Sequence, residues 1–565
     1  MIDPVTRRDV VGHLLAAGTA TQLPGTVQND SRCSSTGTTL GSNIEVIGLF
    51  KDISRPCLRA DCAFVGTTGH SRIGQGAASY AYDTAVDARY VASHRRTAFI
   101  DANGRGFRLS EQSPDVLQAG AIGDGSVDDT AACQEALNIV ESAGGGIVIL
   151  PVGSYKITAP LKLPPHVSLQ GYGQSSVLHV NGCDGIAISK SDVIGPRRVS
   201  NFTILGSSCE RASAITCDLD DADRAQGIVF ENLYLSFFGI GVNSRGFWHT
   251  TFRTVSMHQV WRGFHLRGRN VKITIDDCRI TQGDLLKGDG LSVGIQVGDE
   301  VTKFRPEDVQ VSKTIIFGFN KAIVWRQALF GGVVSCDLDA CSNTGLELVT
   351  ADGGFTFRDN WVQVDGTNVR GIDCTALGYE PQLTNILISN NRINSNKASS
   401  GSCGILVGNQ QSDIVIDSNS ISGRWESGIQ ASGARRLGLH KNKVAGNITL
   451  ERCADVTVAH NFAGGGMSLT ANTGLVTDVG FGPHSAKIVG GIIILAGQTN
   501  QTASFRSLNL PDLPEGMYRV SLVLANISGQ PRGEIRGEVT RTGISVQVER
   551  SSPRSGDISF QIGAY

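Results

Sequence analysis

The chain has 565 residues, with 50 Lys plus Arg against 52 Asp plus Glu and a formal charge of -2. This balance leaves no basic surface typical of nucleic-acid or anionic-membrane binding, and no stretch approaches the ~20 apolar residues of a membrane span. Sixty-nine glycines and 18% charged residues favour many turns and short strands over long exposed helices. We therefore expect an all-β protein.

Residues 1–43 are predicted to be an N-terminal segment and linker that ends in the Ser/Thr/Gly-rich run SRCSSTGTTLGSN. Thr6-Arg-Arg followed by a short apolar run resembles a twin-arginine export signal, so the segment is a candidate signal or anchor. The alternative is an ordinary helix capped by Thr6. Both interpretations remain open.

Thirteen cysteines are scattered along the chain, and we expect most of them to be reduced and buried. Cys57 with Cys62, and Cys336 with Cys341, have close spacing but lack a second pair with a histidine at zinc spacing. The sequence therefore predicts neither a metal site nor another cofactor.

Residues 44–118 are predicted to form a small β-rich adaptor module. Apolar and aromatic segments alternate with glycines there, and Asn103-Gly104 is a strong turn signal between two runs that resemble strands.

Near the start of residues 119–173, the run AGAIGDGSVDDTAACQEAL contains three clustered acids, Asp124, Asp128 and Asp129. Asp128 or Asp129 can accept hydrogen bonds from the free N–H groups of a helix that starts near Thr130, and Gly144 to Gly146 end that helix. We interpret these acids as structural rather than catalytic.

The run GDGSVDDTAACQEAL…GGGIVILPVGSYKI…LQGYG resembles the first segment of the pectate-lyase superfamily of right-handed parallel β-helices, in the branch that includes phage tailspike depolymerases. The resemblance implies this fold over roughly residues 44–466. It is poor evidence for one reaction, because the superfamily includes hydrolases, lyases and adhesive proteins that act on polysaccharides.

A repeat supports the same fold independently. Segments such as GIVFENL, VQVSKT, FTFRDN, ILISNN and VTVAHN share two alternating apolar positions followed by a turn residue. The turn residues are Leu233, Val255, Cys278, Thr314, Asp337, Asn360, Asn391, Asn419, Asn442 and Asn461. A spacing of about 23 residues with insertions is typical of a parallel β-helix, which we predict over residues 119–466.

The later asparagines are predicted to be structural, because Asn tolerates left-handed backbone and its amide can bond to the same residue of the next coil. A second strand recurs about eight residues after each turn residue, as GFHL, GIQV, AIVW, GLEL, GIDC, GILV and GIQA. Strand alternation directs its third residue outward.

This outward column contains His265, Gln296, Val324, Glu347, Asp373, Leu406 and Gln430. Coils stack about 4.8 Å apart, so we expect the carboxylates of Glu347 and Asp373 to lie about 5 Å apart, as in a retaining glycosidase. One carboxyl group would then keep its proton as an acid while the other stays an anion. These two are our first candidates for catalytic residues.

Insertions flank the same face, around GIQV and GIDC. The inserted loops would form the sides of a groove, and the floor of that groove would include Val324, Arg326, Glu347 and Asp373. The candidate substrate-binding residues are Arg326, His265, Gln296, Trp361 and Tyr379. The two aromatic side chains are suited to stacking on sugar rings, with packing as the alternative role.

A second acidic cluster contains Asp337, Asp339 and Asp359. Asp337 is predicted at the asparagine position of its coil. Asp339 aligns with a position where other coils have an inward apolar residue. Because burying an unpaired carboxylate is costly, either the strand bends outward at Asp339 or Asp339 has specific partners. The separations suit an inverting hydrolase. The alternative is that neither residue is catalytic: Asp337 would replace an asparagine at the turn position, and Asp359 would be a solvated turn residue.

Residues 482–565 contain alternating strands such as GGIIILAG, YRVSLVLANIS and GISVQVER, separated by turns. They predict a C-terminal β-sandwich that caps the helix, joins subunits or binds sugar. The resemblance to tailspikes favours a homotrimer.

The leading hypothesis is a glycoside hydrolase that depolymerises bacterial surface or extracellular polysaccharide. The alternatives are a lyase acting on uronate-containing glycan, and a tail or adhesion protein that binds glycan without cleaving it. Gly-His-Gly and Arg-Ile-Lys, which polygalacturonases of this fold carry, do not occur here. We expect an extracellular location, on a virion tail or after export, and no membrane insertion or nucleic-acid partner.

Overall fold

The structure is a computed structural model. It describes residues 38–39, 43–192, 195, 197–283, 291–299, 304–326, 328–349, 351–375, 385–397, 400–408, 411–470 and 472, together with the strands between 476 and 564. Residues 1–37, which include the predicted export signal or anchor, lie outside the described residues, as does Tyr379. No helix within the described ranges is long and apolar enough to cross a membrane.

An N-terminal sheet of six strands precedes the repeats, in the order β1-β2-β3-β4-β6-β5. The strands are β1 (Thr38–Thr39), β2 (Ile44–Leu49), β3 (Phe64–Gly69), β4 (Ser79–Tyr82), β5 (Ala98–Ile100) and β6 (Gly106–Leu109). A 3-10 helix (Phe50–Asp52) and helix α1 (Ala88–Ser93) lie between strands. Aromatic rings fill the core, with Phe50 stacked on Tyr80 at 5.0 Å and Phe99 on Phe107 at 5.3 Å. The segment is β-rich, as predicted.

Helix α2 (Thr130–Ser142) packs against the first coil of the helix domain, and its buried face joins the continuous apolar core. Asp128 accepts a hydrogen bond from the Thr130 backbone N–H at 3.0 Å. Asp129 occupies the N-cap without capping the helix, and its carboxylate instead accepts from the N–H groups of Ile122 and Gly123 at 2.7 and 3.0 Å. Of the two predicted caps, only Asp128 therefore contacts the helix start.

The strands after residue 120 wind into a parallel β-helix. The first of them are β7 (Asp124–Asp128), β8 (Gly146–Leu150), β9 (Gly153–Ile157), β10 (Leu161–Leu163), β11 (Val167–Gly171), β12 (Ser176–Val180), β13 (Ile186–Ile188), β14 (Arg197–Asp218), β15 (Ala225–Gln226), β16 (Ile228–Arg245), β17 (Phe247–Arg253) and β18 (Ser256–Leu266). Each pairs in parallel with the strand one coil further on, as β16 does with β18.

From residue 271 each coil contributes three short strands in a fixed order, which we call sheets A, B and C. The strands are, in that order for successive coils, β19 (Val271–Asp276), β20 (Arg279–Gln282), β21 (Val293–Val297); β22 (Glu307–Ser312), β23 (Ile315–Phe317), β24 (Lys321–Trp325); β25 (Ala328–Val334), β26 (Asp337–Cys341), β27 (Thr344–Leu348); β28 (Ala351–Arg358), β29 (Trp361–Val364), β30 (Arg370–Cys374); β31 (Ile386–Ser389), β32 (Arg392–Ser395), β33 (Cys403–Val407); β34 (Ser412–Asp417), β35 (Ser420–Gly423), β36 (Ser427–Ser432); β37 (Arg435–His440), β38 (Lys443–Val444), β39 (Ile448–Glu451); and β40 (Thr457–Ala459), β41 (Phe462–Ala463), β42 (Met467–Thr470).

The interior is filled by stacked apolar side chains, one from each coil. In sheet B the inward column is Ile280, Ile316, Leu338, Val362, Ile393, Ile421 and Val444, all at 1% exposure or less. Because every coil buries the same positions, burial of apolar surface stabilises the whole stack cooperatively.

Strand β43 (Val476–Asp478) ends sheet A and pairs antiparallel with β44. The C-terminal strands are β44 (Lys487–Leu495), β45 (Asn500–Ser504), β46 (Tyr518–Ala525), β47 (Ile535–Thr540), β48 (Gly543–Val548) and β49 (Gly556–Ala564). They form two antiparallel groups, β44-β49-β46 and β45-β48-β47. The antiparallel strands are as predicted, and their packing as a β-sandwich stays a prediction.

An internal ladder of asparagines lies at the turn between sheets A and B. The Asn391 amide donates to Asn419 Oδ1 at 2.9 Å and to the Phe357 carbonyl at 2.9 Å, and its own Oδ1 accepts from Asn360. The same pattern continues through Asn442. The predicted structural role of these residues is confirmed.

The ladder position of the coil before Asn360 is occupied by Cys336, whose backbone N–H donates to Asn360 Oδ1 at 2.8 Å. The prediction that Asp337 occupies this position was wrong by one residue. Cys336 is 2% exposed and takes the buried place, so Asp337 becomes the first residue of sheet B and faces outward.

The ladder predicts a stability effect. Asn391 is 1% exposed, and Asn391→Ala would leave buried groups on two neighbouring coils without partners. We expect a loss of about 3 kcal/mol, since each buried polar group left unsatisfied costs about 1–3 kcal/mol. Urea unfolding followed by circular dichroism measures it. Asn396 is exposed, so Asn396→Ala is the control variant. Equal stability of Asn391→Ala and Asn396→Ala would contradict a stabilising role of the asparagine ladder.

Candidate functional site

The outer face of sheet C brings together the column predicted from the repeat. Backbone register pairs His265 with Gln296, Gln296 with Val324, Val324 with Glu347 and Glu347 with Asp373. The predicted adjacency of the two acids is therefore confirmed. Their catalytic role stays a prediction.

Glu347 is held by two cations. Lys321 Nζ contacts Glu347 Oε2, and Arg326 Nη2 lies 3.2 Å from Oε1. The Glu347 side chain is only 14% exposed, so both ion pairs are partly shielded from water. This arrangement balances the charge of Glu347 and fixes its orientation.

Asp373 has a different environment. Its Oδ1 accepts hydrogen bonds from the backbone N–H of Thr375 at 2.9 Å and from the Thr375 hydroxyl at 2.5 Å. Neutral donors therefore orient Asp373, whereas ion pairs hold Glu347.

The other members of the column are more enclosed than predicted. Val324 is 4% exposed, so it is not a groove floor that a substrate can contact freely. Burial lowers the pKa of His265 to about 4, with the charges of Arg262 and Arg267 adding to the effect, so its imidazole is neutral near neutral pH. Gln296 donates to the Gly298 carbonyl at 3.3 Å.

The outer face of sheet B carries the second acid pair. Asp337 and Asp339 are both half-buried and lie on either side of Leu338, which points inward at 0% exposure. The alignment of Asp339 with the inward apolar column was wrong by one residue, because Leu338 occupies that column and Asp339 faces outward without any bend being needed to place it there. Ala340 follows with φ at 54°, where the register with the next coil shifts.

The two aspartates of sheet B have unequal environments. The pKa of Asp337 is raised above its ordinary value, first by burial and then by the negative charge of Asp339. Within the described part of the chain, the buried Oδ1 of Asp337 has no hydrogen-bond partner. Asp339 Oδ1 accepts from the Ala340 N–H at 2.8 Å. Asp337 therefore keeps its proton to a higher pH than an ordinary aspartate does.

Exposed aromatic side chains surround this pair. Trp361 follows Asp337 directly in register and is 37% exposed, and Phe317 precedes Asp339 in register and is 43% exposed. Flat apolar rings beside polar groups suit the apolar faces of sugars.

Asp359 does not join either pair. It lies in the turn before Trp361 with φ at 58°, its side chain is 45% exposed, and Arg358 Nε is 3.9 Å from its carboxylate. These features agree with the solvated-turn alternative. Tyr379 lies outside the described residues.

Two features of these faces were missed in the sequence. Lys321 opens the strand KAIVW, and its contact with Glu347 is diagonal, between different columns of sheet C. Arg392 immediately follows the ladder residue Asn391 and pairs with Trp361. Aligning the residue after each ladder position would have found Arg392.

Parts of the chain are similar to known proteins. Residues 114–233 match the family described as rhamnogalacturonase A/epimerase, pectate lyase-like. The chain is 26% identical over 273 residues to a tail spike protein of Shigella phage Sf6, a match that covers 45% of this chain and 43% of that protein. It is 37% identical over 78 residues to the mannuronan C5-epimerase AlgE2 of Azotobacter vinelandii, covering 12% of this chain and 8% of the epimerase.

Solved structures are similar at low identity. The tailspike protein of E. coli bacteriophage HK620, in complex with pentasaccharide, has a TM-score of 0.47 and 9% identity and covers 84% of this chain and 99% of its own. The A-module of the Azotobacter vinelandii mannuronan C-5 epimerase AlgE6 has a TM-score of 0.41 and 15% identity. The match covers 64% of this chain and 98% of the A-module.

The chain spans less than half the length of the curated relatives it matches. Within that limit, the stacked parallel coils make the chain a parallel β-helix protein, one part of which is similar to a pectate lyase-like family and another to a phage tail spike protein.

Proposed function

We propose that the protein cleaves glycosidic bonds of bacterial surface or extracellular polysaccharide by carboxylate acid/base hydrolysis, with Asp337 as the acid and Asp339 as the base. The observation that carries this proposal is the unequal pair on sheet B, where burial and Asp339 raise the pKa of Asp337. Hydrolysis of a glycoside requires one protonated and one ionised carboxyl group on the same side of the sheet.

The spacing of the pair supports an inverting reaction. The backbone positions of two residues on one face of a strand are roughly 6.6 Å apart, and carboxyl groups that extend in parallel from these positions would be near the lower end of the about 6.5–9.5 Å range of inverting glycosidases. Asp337 would protonate the leaving oxygen. Asp339 would activate a water for attack on the opposite side of the sugar, and Trp361 would hold the adjoining ring.

Location and assembly belong to the same proposal. Similarity to a tail spike protein supports an extracellular site of action on a virion tail, and the resemblance to tailspikes supports a homotrimer. The β-helix would carry the chemistry, while the N-terminal module and the C-terminal strands would serve attachment and assembly.

The second candidate is a lyase acting on a uronate-containing glycan, with sheet C as its site. Lys321 and Arg326 are cations that could neutralise a uronate carboxylate, and the neutral His265 imidazole could accept a proton. Both cations already contact Glu347, however, so a substrate carboxylate would have to displace it. Elimination produces an ultraviolet-absorbing unsaturated uronate and hydrolysis does not.

The first prediction concerns the acid pair. Asp337→Asn and Asp339→Asn should each lower the cleavage rate at least 100-fold, because general acid or base catalysis contributes about 10²–10⁴-fold. Release of reducing ends from a panel of capsular polysaccharides measures this, with mass analysis of the products. Asp359→Asn is the matched control and should keep wild-type activity, since Asp359 is an exposed turn residue. Full activity of Asp337→Asn would remove the proposed acid. Binding without cleavage by the wild type on every glycan would favour the non-catalytic alternative.

The second prediction separates the two faces. Glu347→Gln combined with Asp373→Asn should keep cleavage within roughly ten-fold of wild type, while lowering stability by about 1 kcal/mol through the weakened ion pairs. Initial rates and thermal melting of the same preparation report both effects. A stable double variant with no cleavage would instead make Glu347 and Asp373 the catalytic pair.

The third prediction concerns protonation. The pKa of Asp337 should exceed its ordinary value of 3.8, and it should fall in Asp339→Asn, because one of the two causes of the shift is removed while burial remains. Carbon-13 NMR titration of the carboxyl groups measures it, with Asp337→Asn identifying the resonance. An Asp337 pKa at or below 3.8 would contradict its role as the acid.

A further inference from the structure

A single outward column on sheet B extends well beyond the acid pair. In register order it contains Arg279, Ile315, Asp337, Trp361, Arg392, Ser420, Lys443 and Phe462, and we call it the outer column. Adjacent members belong to adjacent coils, about 4.8 Å apart. The column therefore forms a straight line along the axis of the β-helix, on the face proposed for cleavage.

The part of the column beyond Asp337 alternates in a regular way. Arg392 and Lys443 are exposed cations two coils apart, so about 10 Å separates their backbone positions. Each has an exposed aromatic ring one coil away, Trp361 beside Arg392 and Phe462 beside Lys443. The small Ser420 lies between the two cations.

Neither cation is engaged by a protein carboxylate in the described part of the chain. Other exposed arginines on the β-helix surface do have such partners, for example Arg436 with Asp413 and Arg198 with Glu231. Arg392 and Lys443 thus remain available for an anionic ligand that lies along the column.

A parallel column two residues further along the strands is polar and uncharged. Gln363, Asn394 and Ser422 pair with one another in register. Ser422 Oγ donates to Asn394 Oδ1 at 3.2 Å, and both side chains are accessible at the surface. Amides and hydroxyls at each coil are suited to the hydroxyl groups of successive sugars.

Together these features define a linear surface with flat rings and cations on one line and neutral hydrogen-bonding groups on the next. An extended sugar is about as long as the distance between coils, so one sugar can lie over each coil. Cations at every second coil then match acidic groups on every second sugar.

We infer that sheet B binds an acidic polysaccharide that carries one anionic group per disaccharide, with Arg392 and Lys443 each binding one of these groups. This inference rests on the proposed function for the location of the glycan, and it adds the class of substrate. A guanidinium and an ammonium group both bind carboxylates through charge-assisted hydrogen bonds. Trp361 and Phe462 would contact the apolar faces of the sugars next to those groups.

The test measures binding separately from cleavage. The full-length Asp339→Asn variant is applied to immobilised polysaccharides of known repeat: dextran, which is neutral, hyaluronan, which has one carboxylate per disaccharide, polymannuronate, which has one per sugar, and a panel of purified acidic and neutral capsular polysaccharides. We expect binding to be confined to acidic glycans, to be strongest for one charge per disaccharide, and to weaken when NaCl is raised from about 50 to 500 mM.

Variants assign the cations. Arg392→Gln and Lys443→Gln should each weaken binding to the best acidic glycan roughly five-fold, and the double variant about twenty-fold, as for exposed ion pairs of about 1 kcal/mol each. Arg435→Gln and Lys162→Gln are matched controls on other faces, where both side chains are exposed, and should bind as the parent does. Thermal melting verifies that every variant is folded.

The outcomes are separable. Tight binding to neutral glycans, binding unchanged in the Arg392→Gln/Lys443→Gln variant, or no binding to any acidic glycan of the panel would each overturn the inference while leaving hydrolysis at Asp337 and Asp339 open. Binding to acidic glycans that depends on both cations, without cleavage by the wild type, would support the inference and overturn the proposed function.

Discussion

Parallel pairing between successive coils is the constraint on which the rest of the structure depends. Each strand pairs with the equivalent strand one coil further on, so equivalent positions lie about 4.8 Å apart over the whole length of the stack. Inside, this geometry requires apolar side chains at every coil, with asparagine amides that bond to one another at the turn. Outside, it turns residues far apart in the chain into neighbours.

The interior and exterior of one coil therefore tolerate different residues. A buried side chain must fit against the coils above and below it. Asn391 has hydrogen-bond partners on both neighbouring coils, and a Cβ atom on Gly371 would come within 2.5 Å of the Gly404 carbonyl oxygen. Outward positions have no such obligation. Charged and aromatic residues can accumulate there without disturbing the winding, which is why both acid pairs occur on the outer faces.

The outward residues of sheet C could be predicted from the sequence because each strand of this sheet has a residue pattern that fixes its register. A glycine or alanine at the first position and apolar residues at the second and fourth fix the outward direction of the third, so the adjacency of Glu347 and Asp373 followed directly. On sheet B the marker was the ladder asparagine, and Cys336 replaces it in the coil that carries the aspartates. With that marker absent, Asp337 was taken for the ladder residue, and the same error aligned Asp339 with the inward apolar column that Leu338 occupies. The ion pairs of Glu347 could not be predicted, because Lys321 and Arg326 approach it from other columns, and their reach depends on side-chain conformation.

The two acid pairs show why adjacency alone does not select a catalytic site. Glu347 and Asp373 are closer in register, but the Glu347 carboxylate already forms ion pairs with two cations. Asp337 has no cation beside it among the described residues, and burial together with Asp339 favours its protonated form. An acid catalyst needs a proton to give, so the pair without compensating cations is the better candidate. The exposed cations of sheet B lie further along the column, at Arg392 and Lys443, where they can attract a negatively charged glycan from a distance that leaves the protonation of Asp337 nearly unchanged.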